Sequence, residues 1–86
     1  MSVDHKPDHP DEKRRIMCAG GFVSDNRVKG NLNLARSIGD LEYKSDPKIR
    51  PHEQMLINTP EVRQFKVADA SFLIIACDGI WDCLTS

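Results

Sequence analysis

An unbroken apolar run at residues 72–77, with the sequence FLIIAC, places the strongest constraint on what this 86-residue chain can fold into. Because such a run has no polar side to show to water, it is typical of a β-strand that is covered on both faces. A chain of this size buries only roughly 60% of the surface that its unfolded form exposes. The run therefore predicts a strand inside a larger folded unit.

Composition narrows the class of protein. The 12 basic and 13 acidic residues nearly cancel, which argues against dedicated nucleic-acid binding. No apolar stretch approaches the roughly 20 residues of a membrane helix, and the N-terminal residues lack the order of a signal peptide. Cys18, Cys77 and Cys83 are odd in number and show no CxxC spacing, so reduced thiols are expected. We expect an intracellular protein, cytoplasmic or nuclear, with no nucleic-acid or membrane partner.

Local signals predict a helix and a hairpin in the first half of the chain. A helix should begin near Pro10 and stop at Gly20 and Gly21, with acidic residues in its first turn. Residues 22–40 carry turn signals at Asp25-Asn26 and Lys29-Gly30, which favour a hairpin-like arrangement.

The sequence of the second half of the chain predicts a loop followed by strands. Residues 44–58 contain two prolines and little periodicity, so a long exposed excursion is expected. Residues 60–67 are a plausible strand, followed by a turn at Asp69-Ala70 and then by the apolar run.

Acidic residues after the apolar run are candidates for metal binding. Asp78 follows the run directly, Gly79 allows a sharp turn, and Asp82 comes one helical turn later and can face the same way. Hard cations such as magnesium and manganese prefer carboxylate oxygens. The alternative is that Asp78 caps a helix and Asp82 is a solvated helix residue. The same two interpretations apply to Asp4, which could bind a metal or belong to a solvated N-terminal turn.

Other polar residues carry weaker signals. The histidines His5, His9 and His52 lack the HExxH spacing of a zinc site. Trp81 is expected to pack against apolar neighbours. A phosphate-attracting surface is one interpretation of the basic residues, and ordinary solvated faces are the other. The basic residues concerned are Arg14, Arg15, Arg27, Lys29 and Arg36.

Seven short motifs together give the chain a family resemblance. They are DHKP at 4–7, RI at 15–16, AGG at 19–21, RVKGNL at 27–32, ARSIGD at 35–40, PEV at 60–62 and ACDGIWD at 76–82. Their order and approximate spacing resemble the metal-dependent serine/threonine protein phosphatases, the PPM family, also called protein phosphatase 2C. The resemblance covers nearly the whole chain, and the motifs are highly specific in combination.

The resemblance implies an α+β fold. Residues 1–86 would form a partial α-β-β-α sandwich, in which two antiparallel sheets are flanked by helices, as an internal fragment of the catalytic domain. Residues from about 24 to 58 overlap a flap-like region associated with substrate selection. Gly39 and Asp40 match a motif position with a structural role.

The resemblance also implies a chemistry. Such enzymes hydrolyse phosphoserine and phosphothreonine in phosphoprotein substrates through a water activated by Mg²⁺ or Mn²⁺, with two or three ions in the complete domain, which is monomeric. Asp78 matches a ligand of the paired metals that also faces a third, weaker site, and Asp4 and Asp82 match other acidic residues of that site. The remaining ligands, a phosphate-gripping arginine and a general-acid histidine would lie outside this chain, so the isolated chain is expected to be inactive.

Two other functions remain open. A truncated or pseudophosphatase-like interaction module would bind phosphoproteins or another partner without turnover. A general acidic metal-binding module would explain Asp78 and Asp82 but not the other motifs.

Overall fold

The computed structural model describes residues 2–69 and 71–84. Helix α1 spans Pro10–Cys18, strands β1 and β2 span Val23–Ser24 and Arg27–Val28, and helix α2 spans Asp78–Trp81. Short 3-10 helices occupy Leu41–Tyr43, Pro51–Glu53 and Val67–Asp69. The predicted α+β class is confirmed at this level.

Helix α1 lies where the sequence signals predict it. It begins at Pro10, carries acidic residues in its first turn, and ends at Cys18, just before the two glycines. A side chain at Gly21 would place its Cβ 2.8 Å from the Met55 sulfur, so glycine permits the close approach of these two segments. The face that α1 buries contains Glu12 and Ile16.

A tight hairpin follows α1. Strands β1 and β2 are antiparallel, with Val23 opposite Val28 and Ser24 opposite Arg27. The two turn residues, Asp25 and Asn26, have φ angles of 53° and 56°. Positive φ at both positions matches the right-handed twist of the strands and suits Asp and Asn better than most residues. The predicted hairpin and its turn are confirmed.

The hydrophobic core is small and joins α1, the hairpin and two loops. The buried residues at its centre are Ile16, Val28, Tyr43 and Leu56. Ser37 donates its backbone N–H to the carbonyl of Ile57 over 3.0 Å, and an isolated parallel bridge joins Arg36 to Ile57. The chain after the loop is thereby held beside the residues that precede it.

The segment 44–58 is only partly the exposed excursion that the sequence predicts. Its first ten residues are largely exposed, but Leu56 and Ile57 are buried, and Gln54 is 5% exposed. The Gln54 side-chain amide donates to the carbonyls of Asp46 at 2.7 Å and Ile49 at 3.1 Å. The sequence prediction missed this burial of Gln54 because a single glutamine gives no periodic hydrophobic signal. Its side-chain amide nevertheless hydrogen-bonds the backbone of the loop.

The strand predictions for residues 60–67 and for the apolar run are wrong for the described chain. Neither segment forms a strand, and Leu73 and Ile75 are 70% and 88% exposed. A strand needs a hydrogen-bonded neighbour, and the hairpin is the only sheet among residues 2–69 and 71–84. The predicted turn at 69–70 is preceded by the 3-10 helix Val67–Asp69, and Ala70 lies outside the described residues.

Membrane insertion through a helix finds no support. No helix within the described residues is long and apolar enough to cross a membrane.

We predict that the isolated chain self-associates through the apolar run. Exposed apolar segments without strand partners favour intermolecular pairing, so Ile75→Lys should lower the apparent mass in analytical ultracentrifugation. Ile38→Lys is the matched control, because Ile38 is 92% exposed but lies outside the run. A monomeric wild-type chain with a sharp unfolding transition would contradict this prediction.

Candidate functional site

A buried carboxylate organises the polar interior of the chain. Glu12 is 1% exposed, and its Oε1 atom accepts a hydrogen bond of 2.9 Å from Arg36 Nε and lies 3.1 Å from His5 Nδ1. Its Oε2 atom accepts a further hydrogen bond from Arg15 Nη1. Burying an unpaired carboxylate is costly, and these contacts compensate it. We call Glu12, His5, Arg15 and Arg36 the Glu12 cluster.

Both arginines of the Glu12 cluster also bind backbone carbonyls. Arg15 donates to the carbonyls of Gln54 at 3.2 Å, Met55 at 3.3 Å and Ala35 at 2.5 Å. Arg36 donates to the carbonyl of Thr59 at 3.0 Å. The two guanidinium groups therefore tie α1 to the segments around residues 35 and 54–59.

These contacts revise the interpretation of the basic residues. Arg15 and Arg36 are neither solvated faces nor open phosphate ligands, since Glu12 and main-chain carbonyls occupy their donors. Arg27 donates to the Asn31 carbonyl at 2.9 Å within the hairpin region. Arg14 and Lys29 are exposed, as solvated residues would be.

The protonation of Glu12 is set by opposing effects. Burial by itself raises the pKa of this carboxyl group, but hydrogen bonds from Arg36 and Arg15 and the attraction of their charges outweigh burial. The pKa of Glu12 is therefore lowered from its ordinary value of 4.5. Glu12 is consequently ionised at neutral pH and paired with two guanidinium groups.

His5 connects the Glu12 cluster to the segment after the loop. Its Nδ1 atom faces Glu12, and its Nε2 atom lies 3.5 Å from a carboxylate oxygen of Glu61. The His5 carbonyl accepts a hydrogen bond of 3.2 Å from the backbone N–H of Ala35. His5 was set aside as a zinc ligand on its spacing, and the structure gives it contacts with carboxylates.

The three aspartates predicted to bind metal lie at the surface. Asp4 is in an extended stretch directly before His5, Asp78 is the first residue of α2, and Asp82 follows the last residue of α2. All three side chains are exposed, and none has a hydrogen bond or ion pair to another described residue.

Helix α2 places two of these aspartates on one turn of backbone. The Asp82 N–H donates to the Asp78 carbonyl over 2.8 Å, and the Trp81 indole N–H donates to the Ala76 carbonyl over 3.1 Å. Within residues 2–69 and 71–84, no three His, Cys, Asp or Glu side chains form a group that could hold a metal ion. That Asp4, Asp78 and Asp82 come together around cations therefore stays a prediction.

Glu12 is the main polar residue of the interior whose role the sequence analysis missed. It was interpreted only as a favourable charge in the first turn of α1. A signal was present, because Glu12 lies four residues before Ile16 and so shares a helix face with a core residue. A carboxylate on an apolar helix face requires a cationic partner, and two nearby motifs contain arginine.

Comparison with known proteins decides the family. The family model named Protein phosphatase 2C matches residues 1–86. This chain belongs to the protein phosphatase 2C family. The assignment made from the seven motifs is confirmed.

Individual relatives of this protein phosphatase 2C chain support the same conclusion. "Probable protein phosphatase 2C 2" of Paramecium tetraurelia is 56% identical over 85 residues, which are 98% of this chain and 28% of the relative. "Protein phosphatase 2C 1" of the same organism is 55% identical over 85 residues, with the same coverage of 98% and 28%. The chain thus spans little more than a quarter of the length of these relatives.

A solved structure is also similar to this chain. A phosphatase from a pathogenic strain of Toxoplasma gondii superposes with a TM-score of 0.73 and 49% sequence identity. The match covers 74% of this chain and 20% of the Toxoplasma gondii chain. The described fold is therefore similar to a portion of that phosphatase structure.

We predict that Glu12 makes the stability of the chain sensitive to acid. Because its pKa is lower in the folded state than the ordinary value of 4.5, its contribution is present above that pH and is lost as pH falls through the folded pKa. Glu12→Gln should remove this acid-sensitive component. It should also destabilise the chain at neutral pH by roughly 3 kcal/mol, because two partly buried guanidinium groups lose their buried counter-charge.

Urea unfolding followed by circular dichroism, at neutral pH and at about pH 3, measures both effects. Asp11→Asn is the control, since Asp11 is exposed in the same first turn of α1. Equal acid sensitivity in Glu12→Gln and in the wild-type chain would refute the assignment to Glu12.

Proposed function

We propose that residues 1–86 are part of a Mg²⁺- or Mn²⁺-dependent protein serine/threonine phosphatase that hydrolyses phosphoserine and phosphothreonine in protein substrates. The observation that carries the proposal is the family match over residues 1–86. Relatives named protein phosphatase 2C at 55–56% identity support it. This proposal concerns a complete domain, because the chain spans 28% of the length of these relatives.

The donor chemistry of the candidate site fits hard cations. Asp4, Asp78 and Asp82 offer exposed carboxylate oxygens without protein partners among the described residues, and such oxygens are the preferred ligands of magnesium and manganese. Asp78 would serve the paired metals, while Asp4 and Asp82 would complete a third, weaker site. Further ligands are needed, because the described residues contain no group of three.

Bound cations would lower the pKa of a water molecule and neutralise the charge of the phosphate oxygens. The residues of this chain would hold the carboxylates in position for those cations. The N–H of Ile80 donates to the Cys77 carbonyl over 3.0 Å, which fixes the turn on which Asp78 lies. Trp81, whose indole N–H bonds to Ala76, holds that turn against the end of the apolar run.

The remaining features of the proposal concern the complete domain. There the apolar run would become a central strand of an α-β-β-α sandwich, which would cover Leu73 and Ile75. The flap-like region of about residues 24–58 would contribute to substrate selection, and within it the Gln54 side chain makes three hydrogen bonds to the loop backbone. We expect the complete protein to be monomeric and intracellular.

We predict that Asp78→Ala abolishes metal-dependent turnover in a complete domain. A hybrid phosphatase, in which this chain replaces the matching segment of Paramecium tetraurelia Protein phosphatase 2C 1, provides that domain. Removal of a ligand of the paired metals should reduce Mn²⁺-dependent hydrolysis of a phosphothreonine peptide by orders of magnitude. Asp11→Ala, at an exposed aspartate of α1, should leave the rate unchanged. Near-normal turnover by the Asp78→Ala hybrid would overturn the proposal.

A second candidate function is a non-catalytic interaction module. The observation that favours it is the lack of a three-ligand metal group within residues 2–69 and 71–84. Such a module would bind a phosphoprotein or another partner without turnover.

The two candidates predict the same behaviour for the isolated chain and different behaviour for the hybrid. The isolated 86 residues should release little phosphate from a phosphopeptide even with excess Mn²⁺, because the metal ligands are incomplete. Phosphate release measured by a colorimetric assay tests this directly. Robust turnover by the isolated chain would contradict it, and an inactive hybrid with an active parent would favour the interaction module.

A further inference from the structure

We propose that His5 is a positioning residue that fixes the direction of the Asp4 carboxylate. The inference rests on the proposed function, because it takes Asp4 to be a metal ligand. His5 would act through the backbone that it shares with Asp4 and would not touch the cation.

The His5 side chain is held on both sides. Its two ring nitrogens lie 3.1 Å from a carboxylate oxygen of Glu12 and 3.5 Å from one of Glu61. Glu12 is itself fixed by Arg15 and Arg36, so the ring is anchored to the most constrained polar group of the interior. Rotation of His5 about its side-chain bonds would break these contacts.

The backbone around His5 is held as well. The Ala35 N–H donates to the His5 carbonyl over 3.2 Å, and Pro7, two residues further on, is fully buried. The His9 N–H donates to the Lys6 carbonyl over 3.0 Å and closes the turn that leads into α1. Residues 5–9 are therefore fixed to α1 and to the segment around Ala35.

Asp4 contrasts with the residue that follows it. It is exposed, and its carboxylate has no partner among the described residues. An exposed carboxylate on a mobile segment loses conformational freedom when it binds a cation, which weakens binding. Because His5 is anchored, the backbone on the C-terminal side of Asp4 is restrained before a cation binds, and this restraint removes part of that freedom.

The test compares His5→Leu with three other variants in the hybrid phosphatase. His5→Leu removes both ring contacts, while His5→Asn keeps a donor near the Nδ1 position that faces Glu12. His9→Leu is the matched control, because His9 is exposed and its side chain makes no capping bond to α1. Asp4→Asn defines the effect of losing the proposed ligand itself.

We expect His5→Leu to raise the Mn²⁺ concentration for half-maximal activity by about tenfold, the low end of what loss of an outer-shell partner does to metal affinity. The rate at saturating Mn²⁺ should change little, His5→Asn should be intermediate, and His9→Leu should match the unmodified hybrid. His5→Leu and Asp4→Asn should be non-additive in the double variant, because both act on one ligand. A purely structural role would instead lower the saturated rate and the folded fraction together.

A second readout needs no activity. In the 86-residue chain without metal, with Ile75→Lys present throughout to limit self-association, NMR relaxation of the Asp4 amide should show greater mobility when His5→Leu is added than without it or with His9→Leu. Unchanged mobility of Asp4 would overturn the inference.

The outcomes separate this inference from the proposed function. If Asp4→Asn leaves the Mn²⁺ dependence of the hybrid unchanged, the assignment of Asp4 as a ligand fails and the inference fails with it. If Asp4→Asn shifts the dependence but His5→Leu does not, the proposed function stands and the inference is wrong. If His5→Leu fails to fold, His5→Asn decides: an intermediate Mn²⁺ dependence and an intermediate Asp4 mobility support the inference, and wild-type values for both overturn it.

Discussion

Compensation of the Glu12 charge is the constraint on which the described fold depends. The carboxylate lies on the buried face of α1 beside Ile16, where it is stable only with cationic partners. Those partners are Arg15, within α1, and Arg36, in the segment after the hairpin. Their guanidinium groups also donate hydrogen bonds to the backbone carbonyls of residues 35, 54, 55 and 59. One buried charge thus fixes how segments that are distant in sequence meet. The apolar core, which is small, lies against the same face.

The same constraint links the interior to the candidate metal site. His5 belongs to the Glu12 cluster, and the exposed Asp4 directly precedes it in sequence. A candidate metal ligand at the surface is therefore next to a residue that contacts the buried Glu12. The other two candidate ligands, Asp78 and Asp82, depend on a different element, the short helix α2. The candidate ligands therefore lie in two separate parts of the chain, one next to the Glu12 cluster and one on α2.

Local signals predicted the local structure well. Pro10 and the two glycines mark the ends of α1, and the Asp25-Asn26 pair forms the turn of the hairpin. Both features depend on nearby residues alone. The family followed from motif order. Glu12 and Gln54 were missed because their roles depend on partners that sequence spacing does not reveal. Convergence of the three aspartates stays a prediction, because the described residues contain no group of three side chains that could hold a metal ion.

The exposure of the apolar run has a consequence for the order of folding. The contacts of the Glu12 cluster all lie within residues 5–61, and the widest in sequence joins His5 to Glu61. They can form as soon as that length of chain has been synthesised. Leu73 and Ile75 have no comparable partners there, and distant pairings form more slowly than local ones. We therefore expect the chain to fold in two stages during synthesis, with α1 and the hairpin ordered before the apolar run at residues 72–77 is buried.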